Sequence, residues 1–170
     1  MTLTLSSVAR TQLGQTYRAL DGILAKAAAH AAERKIDETV YLDWRLSPDM
    51  FALKRQIQLV SDFSVRGMSR LAGQEPVSMP DTEVSFEELR TRIAKARDLV
   101  AALPDAAIDA NPSADLTFPA GPGKEMTLPR QAYLQNYLLS NVLFHASIAY
   151  GILREIGVPL GKGDFMGMTR

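Results

Sequence analysis

From Pro129 to Gly157 the chain carries an unbroken helical signal. Leu134, Tyr137, Asn141, Phe144, His145, Ile148 and Ile152 recur there at steps that place side chains on one helix face. Further apolar residues fill the turns between them, so this helix needs neighbours on more than one side and belongs inside a helical assembly. Asn141 and His145 stand one turn apart within that apolar surface. Buried polar groups need hydrogen-bond partners, so the stretch is both the centre of the expected fold and the first place to look for chemistry.

Three other stretches supply neighbours. From Ser6 to Arg34, the stripe Leu13, Tyr17, Leu20, Leu24, Ala27 and Ala31 predicts a first long helix in an alanine-rich context, with His30 on its flank. Asp37 can cap a brief helix through Val40-Tyr41-Leu42. Ser47, Pro48 and Asp49 resemble a helix start, with a capping hydroxyl, a first-turn proline and an acid at the positive dipole end. Asp49 and Arg45 are expected to serve as a cap and a helix-junction salt bridge there. The second helix then carries Met50, Leu53, Ile57, Val60, Ser64, Met68 and Leu71, widened by Leu59 and Phe63, and stops at Gly73. Gln56 falls inside its apolar sector, whereas Gln58 and Asp62 fall outside. After a proline-bearing loop, Ser85 and Glu88 form a Ser-x-x-Glu capping box, and Phe86, Leu89, Ile93, Ala96, Val100 and Leu103 make a third helix ending before Pro104.

The crossover from Asp105 to Thr127 is rich in Pro, Gly, Asn and Asp and is long enough to require local structure. Leu116-Thr117-Phe118 and Met126-Thr127-Leu128 flank Gly121-Pro122-Gly123, which predicts a small β-hairpin. Beyond Gly157 the tail Val158–Phe165 reads as irregular, able to cover a neighbouring helix. The fold class is therefore all-α, a four-helix bundle with a long crossover before the last helix, in a single domain 1–170.

Composition removes several functions. Lys plus Arg and Asp plus Glu balance at 19 each, and acids alternate with bases along the helices, which argues against a nucleic-acid track. Cysteine is absent, so disulfides, thiolate metal ligands and a Cys nucleophile are excluded. There is no Gly-x-Ser-x-Gly elbow, and neither histidine follows a Glu by three residues, as a di-metal bundle would need. No apolar run approaches the ~20 residues of a membrane span. Met1–Ser6 lacks the basic and apolar regions of a signal peptide. A soluble, cytoplasmic protein is expected.

Three motifs acquire meaning together: Arg45-Leu46-Ser47-Pro48-Asp49-Met50; Gln56-Ile57-Gln58-Leu59 leading to Asp62; and Asn141-x-x-x-His145 with Ala149-Tyr150-Gly151-Ile152-Leu153-Arg154. With the ending Gly157-Val158-Pro159-Leu160-Gly161-Lys162, the chain resembles the domain-of-unknown-function family 1993, a branch of the DinB/YfiT-like superfamily. The resemblance spans nearly the whole chain. It implies a bundle of DinB-type connectivity, often dimeric, and no assigned activity. The wider superfamily includes metal-dependent thiol transferases, whose site resembles one histidine on the second helix and a His-x-x-x-His pair on the fourth. Here Asn141 stands where the first histidine of that pair would be, and Gln56 is the inward polar residue nearest the other position.

His145 is the leading candidate for chemistry, with Gln56 and Asn141 as companions in a polar pocket able to receive a small molecule. The competing structural reading is a core histidine bonded to Asn141 or Gln56. No cofactor is expected. The alternative is a zinc or nickel ion held by His145 with Asn141 and Gln56, or a His-based small-molecule enzyme related to DinB-type thiol transferases. His30 is a remote third ligand in that case. A homodimer is the expected assembly, and a dimeric interaction protein is a further alternative, motivated by the broad apolar surface of the second helix.

Overall fold

A computed structural model describes residues 3–168, so both ends of the expected 1–170 domain lie outside it. Helix α1 (Leu5–Arg34) is capped by Thr4, whose hydroxyl accepts from Ser7 N, and ends on Lys35 in the left-handed region at φ 56°. Asp37 caps the brief α2 (Glu38–Leu42), accepting from Thr39 N at 2.8 Å. Helices α3 (Leu53–Leu71) and α4 (Phe86–Ala101) follow, then the short α5 (Asp105–Asp109). The crossover hairpin pairs β1 (Asp115–Pro119) with β2 (Glu125–Pro129), Leu116 opposite Leu128 and Thr117 opposite Thr127. The last long helix runs over 130–155 as α6 (Arg130–Ala132), a π-helical segment (Tyr133–Leu138) and α7 (Leu139–Glu155), before α8 (Lys162–Phe165).

Helix α3 packs most extensively on α7 and also on α4, while α1 packs on α4 and α7, which closes the four-helix ring. One contiguous apolar cluster fills it, from Leu13, Ile23 and Leu24 on α1 to Ile57 and Met68 on α3, Phe86 and Leu89 on α4, and Val142 and Ile152 on α7. Two arginines fasten helix ends across the bundle. Arg10 donates to Val100 O and Leu103 O at the end of α4, and Arg130 donates to Leu71 O, Ala107 O and Ile108 O. The last carbonyls of a helix lack a following turn to donate to them, which is why side-chain donors are valuable near helix ends. Among the described residues, no helix is long and apolar enough to cross a membrane.

Four expectations are corrected. Helix α3 begins at Leu53 rather than at Ser47, because the Ser47 hydroxyl donates to Asp49 Oδ1 at 2.6 Å instead of capping a helix. Met50 N closes a turn onto Ser47 O, and local side-chain bonds of this kind compete with helix initiation. Arg45 donates to Met50 O and, among the described residues, makes no salt bridge. Gln58 and Asp62 are buried, because the loop between α3 and α4 lies across them. The tail is not wholly irregular: Asp164 Oδ2 accepts from Gly161 N and caps α8, which packs on α1.

The π-helical segment has a packing counterpart in Gly67 of α3. A Cβ added at Gly67 would fall 2.6 Å from Leu138 Cγ, and Leu138 is itself buried. Gly67→Ala should therefore overpack this crossing and destabilise the fold by about 1–3 kcal/mol, read as a lower urea midpoint at constant slope. A gain in stability, as expected where a helical glycine meets open space, would refute the close approach.

Candidate functional site

Gln56 and His145 meet in the α3–α7 contact. The Gln56 side chain donates through Nε2 to Phe51 O at 3.0 Å, which turns Oε1 towards His145 Nδ1 at 2.8 Å. An amide oxygen only accepts, so Nδ1 must carry the proton, and in the neutral ring Nε2 is left with its lone pair. Among the described residues, no hydrogen bond reaches Nε2. The irregular chain before α3, through one carbonyl, thus sets the tautomer of a histidine on α7.

Burial pushes the His145 imidazole below its ordinary range, and the nearby Arg55 charge pushes it the same way. Its ring is stacked on Phe63 (centroids 5.6 Å, 17°) and meets Phe144 edge-on at 5.2 Å. Phe144 is 56% exposed and Phe51 57%, so the histidine lies at the inner margin of an exposed aromatic surface. A neutral acceptor beside aromatic faces can take a hydrogen bond from an N–H or O–H on a flat or largely apolar molecule.

Asn141 does not join this pair. Its Nδ2 donates to Tyr137 O at 2.7 Å, one turn back on its own helix and at the π-helical segment. His30 lies elsewhere, its Nδ1 at 2.9 Å from the Tyr41 hydroxyl. The donors available to a metal at the expected position are therefore one imidazole nitrogen and two neutral amides, with the Gln56 oxygen already bonded to His145. That set is a poor match for zinc or nickel, which favour several imidazoles or anionic ligands. Among the described residues, no group of three or more His, Cys, Asp or Glu side chains could hold an ion.

A second polar centre escaped sequence reasoning. Arg92 of α4, with its side chain 2% exposed, donates to Asp62 Oδ1 at 2.7 Å, Glu83 Oε1 at 2.8 Å and Pro80 O at 2.8 Å. Asp81 reaches it at 3.0 Å, while Arg55 pairs with Asp81, and Arg66 lies 3.5 Å from Asp62. The cluster balances three arginines against three carboxylates and pins the loop after α3 onto α4. Periodicity could mark Asp62 only as polar. It could not bring a loop acid and an α4 arginine to it.

The π-helical segment was equally unmarked. Tyr133 and Tyr137 stack upon each other there, and Phe118 of the hairpin packs against both, at 4.6 and 4.5 Å. Tyr137 also meets Phe63, so aromatic contact runs from the crossover to the histidine.

Four helices around one core, closed by a hairpin crossover and carrying one histidine on the last helix, define a DinB-like helical bundle. The solved structure of a DinB family member protein from Shewanella denitrificans is similar at 33% identity and TM-score 0.87, over 97% of this chain and 93% of that one. More narrowly, the chain belongs to the family described as a domain of unknown function, DUF1993, which matches residues 5–166. No curated protein matches it.

Proposed function

We propose that this protein is a small-molecule-binding member of the DinB-like bundles, working without the superfamily's three-histidine metal site, and that His145 presents a neutral Nε2 acceptor to the ligand. The observation that carries this reading is the relay from Phe51 O through the Gln56 amide to His145 Nδ1, which leaves Nε2 unbonded beside Phe63 and Phe144. A buried histidine with a purely structural role satisfies both ring nitrogens, one as donor and one as acceptor. A relay that fixes the tautomer and frees the other nitrogen favours a binding role.

Two measurements test it. Nitrogen-detected NMR of the His145 ring should find the Nδ1–H tautomer at neutral pH, with a titration midpoint below the ordinary histidine range. Gln56→Leu should remove the tautomer preference. Because the folded value is depressed, the contribution of His145 to stability is full above the unfolded value and is lost as pH falls through the folded one. Metal analysis of the purified protein supplies the opposing outcome. Stoichiometric zinc or nickel that disappears in His145→Ala would overturn the metal-free reading and favour a metal-dependent enzyme.

A further inference from the structure

A cleft lies across the bundle, between α1, α7 and α8, and shares no lining residue with the Gln56–His145 contact. Its volume is about 370 Å³, at the lower end of the ~300–1,000 Å³ usual for small-molecule sites. The apolar lining includes Ala19, Leu20, Ala146 and Phe165, of which all but Phe165 are buried. Two polar groups stand beside them. The Gln12 side chain makes no hydrogen bond among the described residues, and Lys162 has no carboxylate partner among them. The neighbouring polar side chains are committed: Gln15 donates to Met166 O, Thr16 to Gln12 O, and Lys26 pairs with Asp164.

The α8 wall is held in place. Gln15 ties its end to α1, the Lys26–Asp164 pair secures its capping residue, and Tyr150 of α7 meets Phe165 edge-on at 5.7 Å. The cleft is therefore bounded by α1, α7 and a tethered α8, with a cation and an amide that have no partner among the described residues at a largely apolar hollow. That combination complements a molecule with an aliphatic body and one anionic head.

We infer that the α1–α7–α8 cleft binds a small aliphatic monocarboxylate, its chain against Leu20, Ala146 and Phe165 and its carboxylate between Lys162 and Gln12. The Lys162 ammonium and the Gln12 amide N–H donate to the carboxylate, as a charge-assisted pair and a neutral hydrogen bond.

Octanoate, kept below its micellar concentration, is the probe, with octan-1-ol and acetate as comparators and amide chemical shifts of the full chain as the readout. Saturable octanoate binding is expected, with shifts centred on α1, α7 and α8. Octan-1-ol should bind more weakly for want of the charge, and acetate for want of the chain. Lys162 is exposed, so Lys162→Met should fold normally. It should weaken octanoate roughly tenfold, as expected for one charge-assisted hydrogen bond, and leave octan-1-ol unchanged. Absence of saturable binding, shifts centred elsewhere, or octanoate affinity unaffected by Lys162→Met would each overturn the assignment. None of these outcomes depends on His145, whose tautomer is read separately.

Discussion

Replacing Arg92 with alanine is expected to destabilise the protein by about 3–5 kcal/mol, a large fraction of the ~5–15 kcal/mol that holds a domain folded. The size follows from what is left behind. Asp62 and Glu83 have side chains only 6% and 11% exposed, and without Arg92 they keep their burial and lose their principal counter-charge. An exposed pair such as Arg97–Asp98 (60% and 70%) should cost no more than ~1 kcal/mol when broken, and it serves as the internal comparison. Urea unfolding of Arg92→Ala and Arg97→Ala separates the two cases. A loss below that of the exposed pair would show that the cluster relaxes into water instead of remaining closed. The double variant Arg92→Met with Asp62→Leu should recover part of the loss, because removing both charges also removes their desolvation cost.

The same cluster gives the acid limb of stability. Burial alone would raise Glu83, but hydrogen bonds from Arg92 and Gln58, with the Arg92 charge, outweigh it and hold the carboxyl below its ordinary value. A depressed carboxylate stabilises fully above its unfolded value, and that contribution is lost as pH falls through the lower folded one. The wild type should thus lose stability more steeply than Glu83→Gln as pH falls through that window.

What could be read from residues alone depended on whether the cause was local. The spans of α1, α4 and the last helix follow from periodic stripes and from caps, because their information lies within a few residues: Ser85 accepts from Glu88 N as the Ser-x-x-Glu spacing implies, although Glu88 returns its bond to Val84 N rather than to Ser85. The hairpin followed from turn chemistry for the same reason, with Gly121 and Gly123 in positive φ where side chains fit poorly. The start of α3 lies later than its sequence signal because a cap and a turn use the same residues. Ser47 had two acceptable fates, and its neighbour Asp49 decided between them.

Candidate chemistry divides along the same line. Gln56 and His145 were both identifiable as polar residues within apolar stripes, and the fold brings them together. Asn141 sat at the right helical spacing but turns its Nδ2 to Tyr137 O, at a π-helical segment that no periodicity announced. The Arg92 cluster joins residues from α3, α4 and the loop between them, and only tertiary packing relates those positions. Local grammar marks a polar residue as unusual. It does not say which distant group will satisfy it.

Phe118→Ala should cost about 3–5 kcal/mol if the hairpin folds as part of the bundle, the loss usual for a buried phenylalanine. Phe118 is 1% exposed, whereas Thr117 and Pro119 are exposed and Leu116 and Leu128 are only partly buried, so this ring is the deepest anchor of a hairpin that would be marginal alone. Thr117→Ala removes only an exposed contact with Thr127 and should cost under ~1 kcal/mol. Hydrogen exchange distinguishes the ways Phe118→Ala can act. Faster exchange throughout the bundle means the cavity is felt by the whole core; faster exchange confined to residues 115–129 means the hairpin undocks locally and caps the cost below the full value. The effect should also reach the candidate site. Phe118 packs on Tyr137, Tyr137 on Phe63, and Phe63 on the His145 ring, with centroids 4.5, 6.1 and 5.6 Å apart. Loss of Phe118 should therefore move the His145 ring resonances, while Thr117→Ala leaves them in place. An unmoved His145 signal in a folded Phe118→Ala protein would mean that the hairpin supports the bundle and has no hold on the histidine.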